Sequence, residues 1–190
     1  MKTLDIPKEH FIGSYFINEK VCDDMINFFW SNKHYHAQTK MDHSVKKCVE
    51  MGINPNVNVF EPSNSYLKEI KKCVTEYMKE YDIKAKIHIN EPYNIQHYNK
   101  GNGFYSWHCE RSTKIFADRY LVFMTYLNDV DDGGTEFKFQ NIEIKARKGL
   151  TLIWPTDWTH THRGVISKTK EKTIITGWFH LNDWRISRQS

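Results

Sequence analysis

The sequence changes in character at residue 85, and this change constrains the fold more than any other feature. From residue 85 to residue 181, short segments rich in β-branched and aromatic residues follow one another. The segments are KIHIN, YNIQHYN, RYLVFMTYLN, TEFKFQ, IEIKA, LTLIWP and TIITGWFHL. Turn-forming stretches separate them, notably 99–103 (NKGNG) and 128–134 (NDVDDGG). The pattern predicts an antiparallel sandwich or jelly roll and argues against a sheet in which strands and helices alternate.

The first part of the chain is predicted to be mostly helical. Residues 19–30 form one amphipathic segment, with Asn18 placed to cap it. Its apolar face consists of Val21, Met25, Phe28 and Phe29. Residues 65–81 show the strongest helical periodicity in the chain. Its apolar positions are Leu67, Ile70, Val74, Tyr77, Met78 and Tyr81. The intervening residues 32–64 are long for a loop, so they either carry function or contain short unrecognised elements.

Length and composition set broad limits on the class of protein. A chain of 190 residues suggests one domain. Its 27 basic and 23 acidic residues give a charge of +4, which suits an anionic small molecule or acidic peptide better than nucleic acid. The four cysteines form no C-x-x-C pair, and we find no secretory or membrane-spanning apolar stretch. We therefore expect free thiols and a cytoplasmic protein without membrane or nucleic-acid partners, in which residues 43–47 (HSVKK) form a solvated face.

The stretch at 104–112, FYSWHCERS, contains the first candidate metal ligands. On a strand, His108 and Glu110 point to the same face, while Cys109 points away. His108 would supply an imidazole and Glu110 a carboxylate. One further histidine would complete the two-histidine, one-carboxylate set of non-haem Fe(II) oxygenases. His160 and His162 are also two residues apart, so alternation leaves both open as the third ligand.

Lys172 is the second unusual feature of the strand-rich region. It opens a predicted strand whose one face also carries Ile174, Thr176 and Trp178. A cation on such a face is unfavourable unless it pairs with an anion. A dicarboxylate ligand would supply that anion.

These pieces, in this order, resemble the Fe(II)/2-oxoglutarate-dependent dioxygenases, and within them the prolyl 4-hydroxylase-like group. The resemblance covers roughly residues 93–181 and rests on YNIQHYNKGNGFYSWHCE, RYLVFMTYLNDVDDGGTEF, KGLTLIWP and HRGVISKTKEKTIITGWF. Family members carry His-x-Asp/Glu, a distal His about fifty residues later, and a Lys or Arg about ten residues after that. Here His108 and His162 are 54 positions apart, and Lys172 follows 10 positions later. The HRG context selects His162 over His160.

The resemblance implies a fold and a set of site residues. The expected fold is mainly β with supporting helices, with a distorted double-stranded β-helix (jelly-roll, cupin-like) core. Residues 1–190 would form one dioxygenase domain, with 1–83 as mostly helical support and lid and 84–182 as the core. The implied residues are His108, Glu110 and His162 for Fe(II), Lys172, Tyr126, Tyr98 and Thr176 for 2-oxoglutarate, and Arg119, Trp178 and Tyr105 for substrate. Glu110 departs from the Asp that prolyl 4-hydroxylases usually carry.

The resemblance also implies an activity. With O2, 2-oxoglutarate would be decarboxylated to succinate and CO2 while a substrate C–H bond is hydroxylated, with ascorbate supporting the reaction. A proline in a peptide or protein is the expected substrate. The alternatives are another side chain, a free amino acid or a nucleobase, and a non-enzymatic cupin-like metal-binding module. Nucleobase-repair relatives usually carry an Arg at the cosubstrate position and another shortly after, and the TIITGW that follows Lys172 contains none.

Overall fold

The computed structural model describes residues 1–39, 42–56 and 60–182, so parts of the predicted 32–64 loop (40–41 and 57–59) lie outside the described residues. Two α-helices occur in these ranges, α1 (Glu19–Ser31) and α2 (Ser63–Glu80). The strands are β1 (Gly13–Phe16), β2 (Ala37–Gln38), β3 (Val49–Ile53), β4 (Ile87–His88), β5 (Tyr93–Tyr98), β6 (Arg119–Tyr126), β7 (Val130–Phe137), β8 (Ile142–Ala146), β9 (Leu150–Pro155), β10 (His162–Val165) and β11 (Lys172–Leu181). No helix in the described part of the chain is long and apolar enough to cross a membrane.

The strands form two antiparallel sheets. The larger sheet has the order β1-β9-β6-β11-β5-β3-β2, with β4 paired to β11. The smaller sheet has the order β10-β7-β8. Neighbours in these sheets are mostly not consecutive in sequence, as expected when a chain winds between two layers. The predicted mainly β fold with supporting helices is therefore confirmed.

Alternation along the central strands divides the interior into two cores. On β6, Leu121 and Phe123 pack with the helices, whereas Val122 and Met124 face the smaller sheet. On β11, Ile175 belongs to the helix side. The opposite face of β11 carries the four residues expected to share it, Lys172, Ile174, Thr176 and Trp178. The two-residue period therefore turns one row of each central strand towards the space between the sheets.

The helices cover the outer face of the larger sheet. Asn18 caps α1 as predicted, because its side-chain oxygen accepts a hydrogen bond from the Lys20 backbone N–H at 2.9 Å. The helical residues that reach the shared core are Val21, Cys22, Met25, Phe29, Tyr66, Ile70, Cys73, Val74 and Tyr77. The Tyr66 hydroxyl also forms a hydrogen bond of 3.0 Å with the Thr125 hydroxyl on β6, so a buried hydroxyl pair joins α2 to the sheet. All four cysteines are free, as predicted.

The sequence did not predict four of the strands, and it placed one strand start too late. β1, β2 and β3 lie in the part expected to be mostly helical or loop, and β10 contains His162 itself. Strand β7 begins at Val130, inside the predicted turn 128–134, since an irregularity between Val130 and Gly134 lets the chain turn within the strand. Gly134 allows this because a Cβ there would overlap the Ile144 carbonyl.

Candidate active site

A cavity of about 400 Å³ lies between the two sheets. It is lined by inward-facing residues of β5, β6 and β11, by β7 and β10 of the smaller sheet, and by the segment 104–112. The candidate ligands His108, Glu110 and His162 lie together on its wall, with one potential ligand atom from each within 4.8 Å of the others. The structure thus brings together three residues from two distant parts of the chain.

Backbone pairing places the two histidines side by side. His108 and His162 form an isolated antiparallel bridge, with N···O distances of 3.0 and 2.9 Å. Glu110 is fixed two residues further on, where its backbone N–H donates to the Thr156 carbonyl at 3.1 Å. The His108 ring stacks on Phe104, with 3.6 Å between ring centroids. The ligand geometry therefore depends on the strand register and not on a flexible loop.

The hydrogen bonds of the two histidines determine which nitrogen of each ring faces the centre. Nδ1–H of His108 donates to the Ser106 carbonyl at 3.0 Å, and Nδ1–H of His162 donates to the His160 carbonyl at 2.9 Å. Each Nε2 then carries a lone pair and lies 3.5–3.6 Å from Oε1 of Glu110. Burial lowers the pKa of His162, which favours its neutral form. Three acceptor atoms thus converge, an arrangement that a bound cation stabilises.

Glu110 is held in its charged form. Burial alone would raise its pKa, but whenever the His108 and His162 rings carry a second proton, their Nε2–H groups and positive charges more than offset this and lower the pKa below its usual range. Its second oxygen, Oε2, accepts a hydrogen bond from the Trp178 indole N–H at 3.0 Å and lies 3.6 Å from Arg119 Nη1. The carboxylate is therefore anchored at Oε2 and presents Oε1 to the histidines.

His160 is oriented away from this centre. Its Nε2–H donates to the His10 carbonyl at 2.9 Å, and its Nδ1 lies 3.0 Å from the Thr159 hydroxyl. Both ring nitrogens therefore have partners, and burial lowers the pKa of the ring. These contacts give a physical reason for the choice between His160 and His162 that alternation left open.

Lys172 is a buried ammonium group on the same cavity wall. Its side chain is 4% exposed, and Nζ donates to the carbonyls of Val165 at 2.7 Å and Gly134 at 3.2 Å. Among the described residues, no carboxylate is in ion-pair contact with it. Burial lowers its pKa to about 8. A buried cation without an anionic partner, facing a cavity, is suited to bind an anionic ligand.

The other residues expected to bind cosubstrate, Tyr126, Tyr98 and Thr176, all line the cavity. The Tyr126 hydroxyl lies 2.6 Å from Thr135 Oγ1, and burial raises its pKa. The Tyr98 hydroxyl donates to Gln96 Oε1 at 2.7 Å, and the Tyr98 ring lies 5.7 Å from Lys172 Nζ. Tyr126 and Tyr98 thus surround the space in front of the lysine.

The three residues expected to bind substrate have different positions. Trp178 and Arg119 line the cavity, and both contact Glu110. Tyr105 is not among the described lining residues, and its hydroxyl donates to the Gly101 carbonyl at 3.3 Å. The placement of Tyr105 therefore gives no support to a substrate contact.

The sequence interpretation missed a charged pair in the cavity wall. Lys46, in the stretch expected to be a solvated face, is 6% exposed and donates to Glu50 Oε2 at 2.8 Å. The expectation fails for Lys46, which bridges to Phe104 and pairs with Glu50 on β3, whereas His43, Ser44 and Lys47 are exposed as expected. Recognition of 49–53 as a strand with alternating faces would have pointed to Glu50. The exposed Lys168 and Lys170, by contrast, are surface residues as expected.

Comparison with known proteins shows which proteins the chain is similar to. Residues 93–180 match the family model described as the 2OG-Fe(II) oxygenase superfamily. A search of curated proteins gave no match. Among solved structures, a Pseudomonas putida prolyl-4-hydroxylase aligns with a TM-score of 0.71 at 14% identity, over 93% of this chain and 95% of the other.

Two further structures show the same fold. A viral collagen prolyl hydroxylase from Paramecium Bursaria Chlorella virus-1, in complex with 2-oxoglutarate, gives a TM-score of 0.66 at 18% identity over 89% and 95% of the two chains. A prolyl hydroxylase from Trichoplax adhaerens, bound to a hypoxia inducible factor peptide fragment, gives 0.67 at 13% identity over 91% and 84%. The predicted double-stranded β-helix is confirmed by these neighbours.

The span that matches the 2OG-Fe(II) oxygenase superfamily model contains the whole His-Glu-His cluster and Lys172. Its fold is that of the prolyl hydroxylases among these solved structures.

Proposed function

We propose that the protein hydroxylates a proline within a peptide or protein, in a reaction that depends on Fe(II), 2-oxoglutarate and O2. The observation that carries this proposal is the presence, in one cavity, of the converging His108, Glu110 and His162 and of the unpaired buried Lys172. A metal-binding scaffold without turnover would have no need of a buried cation beside the metal ligands.

The donor set fits iron. Two neutral imidazoles and one carboxylate on one side of a metal leave further coordination positions open, which is the arrangement of non-haem Fe(II) oxygenases. In this chain His108 and His162 would offer Nε2, and Glu110 would offer Oε1. When bound, iron supplies the oxygen chemistry. The surrounding residues orient the ligands and exclude water from the cavity.

Lys172 is the proposed partner of the cosubstrate. A protonated Nζ would form a charge-assisted contact with the distal carboxylate of 2-oxoglutarate, and Tyr126, Tyr98 and Thr176 would surround the molecule. Ascorbate would keep the iron reduced. The four free cysteines fit a reducing compartment such as the cytoplasm.

The substrate assignment is supported by the fold and by the cavity wall. Three structural neighbours are described as prolyl hydroxylases, one of them with a bound peptide fragment. Proline suits a site beside a metal because its ring is rigid and its nitrogen needs no hydrogen-bond acceptor. Trp178 offers an aromatic surface on the cavity wall for such a ring.

We further propose that residues 1–190 form one dioxygenase domain in which 1–83 support the core of 84–182. Residues 42–56 are joined to the core, since the Tyr105 N–H donates to the Val45 carbonyl at 2.8 Å and the Lys47 N–H to the Gly103 carbonyl at 3.0 Å. These bonds favour a fixed wall over a mobile lid for this part of the 32–64 segment.

The decisive experiment incubates the purified protein with proline-containing peptides, Fe(II), ascorbate and 2-oxoglutarate, and follows products by mass spectrometry. We expect a gain of one oxygen, about 16 Da, at proline, with equimolar succinate and only when 2-oxoglutarate is present. Oxidation of another side chain, a free amino acid or a nucleobase instead would overturn the prolyl assignment and retain the dioxygenase. Metal binding without consumption of 2-oxoglutarate under all these conditions would leave only a metal-binding module.

A further inference from the structure

We propose that Trp178 and Arg119 are positioning residues for the metal ligand Glu110, and that they hold one oxygen of this carboxylate so that the other is left for the metal. The proposal rests on the proposed function in so far as His108, Glu110 and His162 hold a divalent metal. It also reassigns Arg119, which the sequence resemblance linked to substrate.

The two oxygens of Glu110 have different surroundings. Oε1 lies 3.6 Å from Nε2 of His108 and 3.5 Å from Nε2 of His162. Oε2 accepts the indole N–H of Trp178 at 3.0 Å and faces Arg119 Nη1 at 3.6 Å. The same Nη1 donates to the main-chain carbonyl of Glu110 at 3.3 Å. Side chain and backbone of the ligand are therefore both fastened on the side away from the histidines.

Arg119 is itself held in place from several directions. Its Nε and Nη2 donate to the two oxygens of Glu91 at 2.6 and 2.8 Å, a bidentate pair. Its guanidinium carbon lies over the rings of Trp178 and Phe116, at 3.7 and 3.8 Å from the ring centroids. His180 lies against the same Glu91, with Nε2 3.1 Å from Oε1.

These contacts leave Arg119 with little surface for a substrate. The residue is 7% exposed, two aromatic rings pack against its guanidinium, and three of its donors have protein acceptors. A group clamped in this way is well suited to fix a neighbour and poorly suited to follow a variable peptide. The geometry therefore favours action through Glu110.

Because the carboxylate ligand is a Glu, the contacts from Trp178 and Arg119 have a physical role. Glu has one more rotatable bond than Asp, which the resembling prolyl 4-hydroxylases usually carry at this position, so an unanchored Glu carboxylate would occupy more orientations. Anchoring Oε2 removes that freedom before the metal arrives and leaves Oε1 directed at the histidine nitrogens. Loss of such supporting contacts typically weakens metal binding about 10- to 100-fold.

The first test measures the affinity of the full-length protein for Co(II) alone, anaerobically, without 2-oxoglutarate or substrate. Trp178→Phe removes the indole N–H while keeping an aromatic ring against Arg119. We expect Co(II) binding to weaken at least about tenfold, with an altered visible absorption spectrum of the bound ion. Trp158→Phe is the matched control: Trp158 is 68% exposed, so its replacement should leave affinity and spectrum unchanged.

The second test uses a double-mutant cycle, which remains informative if one variant loses stability. In Glu110→Asp, the shorter side chain cannot reach both the metal and the indole. Adding Trp178→Phe should then weaken Co(II) binding less than about threefold, against about tenfold in the wild-type background. Equal effects in both backgrounds would mean that Trp178 acts on stability alone, and the proposal would be overturned.

The third test uses variants of Arg119 and of its partner Glu91. Arg119→Gln should weaken Co(II) binding, and Glu91→Gln should do so to a smaller extent, while Arg119→Lys should restore part of the loss. Arg111→Gln is the control, because Arg111 is adjacent to Glu110 in sequence but pairs with Asp157. If Arg119→Gln leaves Co(II) affinity intact and impairs only substrate oxidation, Arg119 contacts substrate and the proposal fails. A wild-type protein that binds no Co(II) would refute both this proposal and the proposed function, whereas normal binding by every variant would refute this one alone.

Discussion

The buried Lys172 gives the proposed cosubstrate site a pH dependence that can be worked out from its surroundings. Only its protonated form can pair with a carboxylate, and burial lowers its pKa to about 8 from the ordinary value of 10.5. The charges of Asp132 and Glu143 oppose that change without offsetting it, and the two carbonyl acceptors, from Val165 and Gly134, carry no full charge. The ligand-free protein should therefore lose the proton, and with it the affinity for 2-oxoglutarate, as the pH rises through about 8.

The magnitude follows from the fraction of protonated lysine. With a pKa of about 8, about nine tenths of the molecules carry the proton at pH 7 and about one tenth at pH 9. The dissociation constant of 2-oxoglutarate should rise about tenfold over this interval. Removing the group altogether should cost more, since loss of one partner of a desolvated charge pair typically costs about 2–5 kcal/mol, or at least about 30-fold in affinity.

The assay compares the wild type with Lys172→Arg by calorimetric titration of 2-oxoglutarate from pH 7 to pH 9, anaerobically with one metal. Arginine stays protonated throughout this range. Effects of pH that both proteins share, such as metal hydrolysis and the titration of other groups, therefore cancel in the ratio of the two dissociation constants. The ratio should change about tenfold. Lys172→Ala should bind 2-oxoglutarate at least about 30-fold more weakly at pH 7, whereas Lys170→Ala, which changes an exposed lysine before β11, should not.

Two results would contradict this reasoning. If the wild type and Lys172→Arg gave parallel profiles, the lysine would not titrate in this range or would not contact the cosubstrate. If Lys172→Ala and Lys170→Ala had equal effects, the affinity would come from general positive charge and not from a specific clamp.

Three further outcomes are expected. Lys172→Met should abolish 2-oxoglutarate binding and raise the free energy of unfolding in urea at pH 7 by about 1–3 kcal/mol, because the lowered pKa of the buried lysine corresponds to a cost of about 3 kcal/mol. The unfolded chain keeps the proton up to about pH 10.5, so the wild type should recover this stability between pH 8 and 10.5. A stability difference between the two proteins that stays constant over this pH range would refute the assignment. His162→Ala should abolish Co(II) binding, whereas His160→Ala should retain it and lose about 1–3 kcal/mol of stability from a broken buried contact; the reverse pattern would exchange their roles. Gly177→Ala should destabilise by at least about 1–3 kcal/mol in thermal unfolding, since a Cβ would overlap the Phe123 ring, and a neutral effect would show that the strands can separate there.

The fold could be predicted where strands are long and alternate regularly. The segments that became β5, β6, β8, β9 and β11 each contain a two-residue period with apolar or aromatic residues, and all five were recognised within a few residues. β1 and β10 have only four residues each, and β10 contains a glycine and a charged residue, so no period is visible in them. Their extended form depends on partners, β9 and β7, that lie far away in sequence.

The candidate site shows the same division between local pattern and distant partner. Spacing and resemblance selected His108, Glu110, His162 and Lys172, and the structure places all four on one cavity. The position of Arg119 between two rings could not be predicted, since Phe116 and Trp178 approach it from separate parts of the chain.

The cavity wall suggests where the identity of the substrate is determined. Residues 93–180, which match the family model, contain all the proposed metal ligands and Lys172, so the proposed chemistry would depend on this span. The preceding part of the chain adds Lys46 and Glu50 to the wall, and these two residues lie outside the matched span. A charged pair at 2.8 Å beside the inward-facing Asn94 and Gln96 makes this wall polar. The main-chain carbonyls on either side of a peptidyl proline are hydrogen-bond acceptors for such groups. For the proposed peptide substrate, sequence preference should therefore change on substitution of Lys46 or Glu50 and not on substitutions in the metal-binding region.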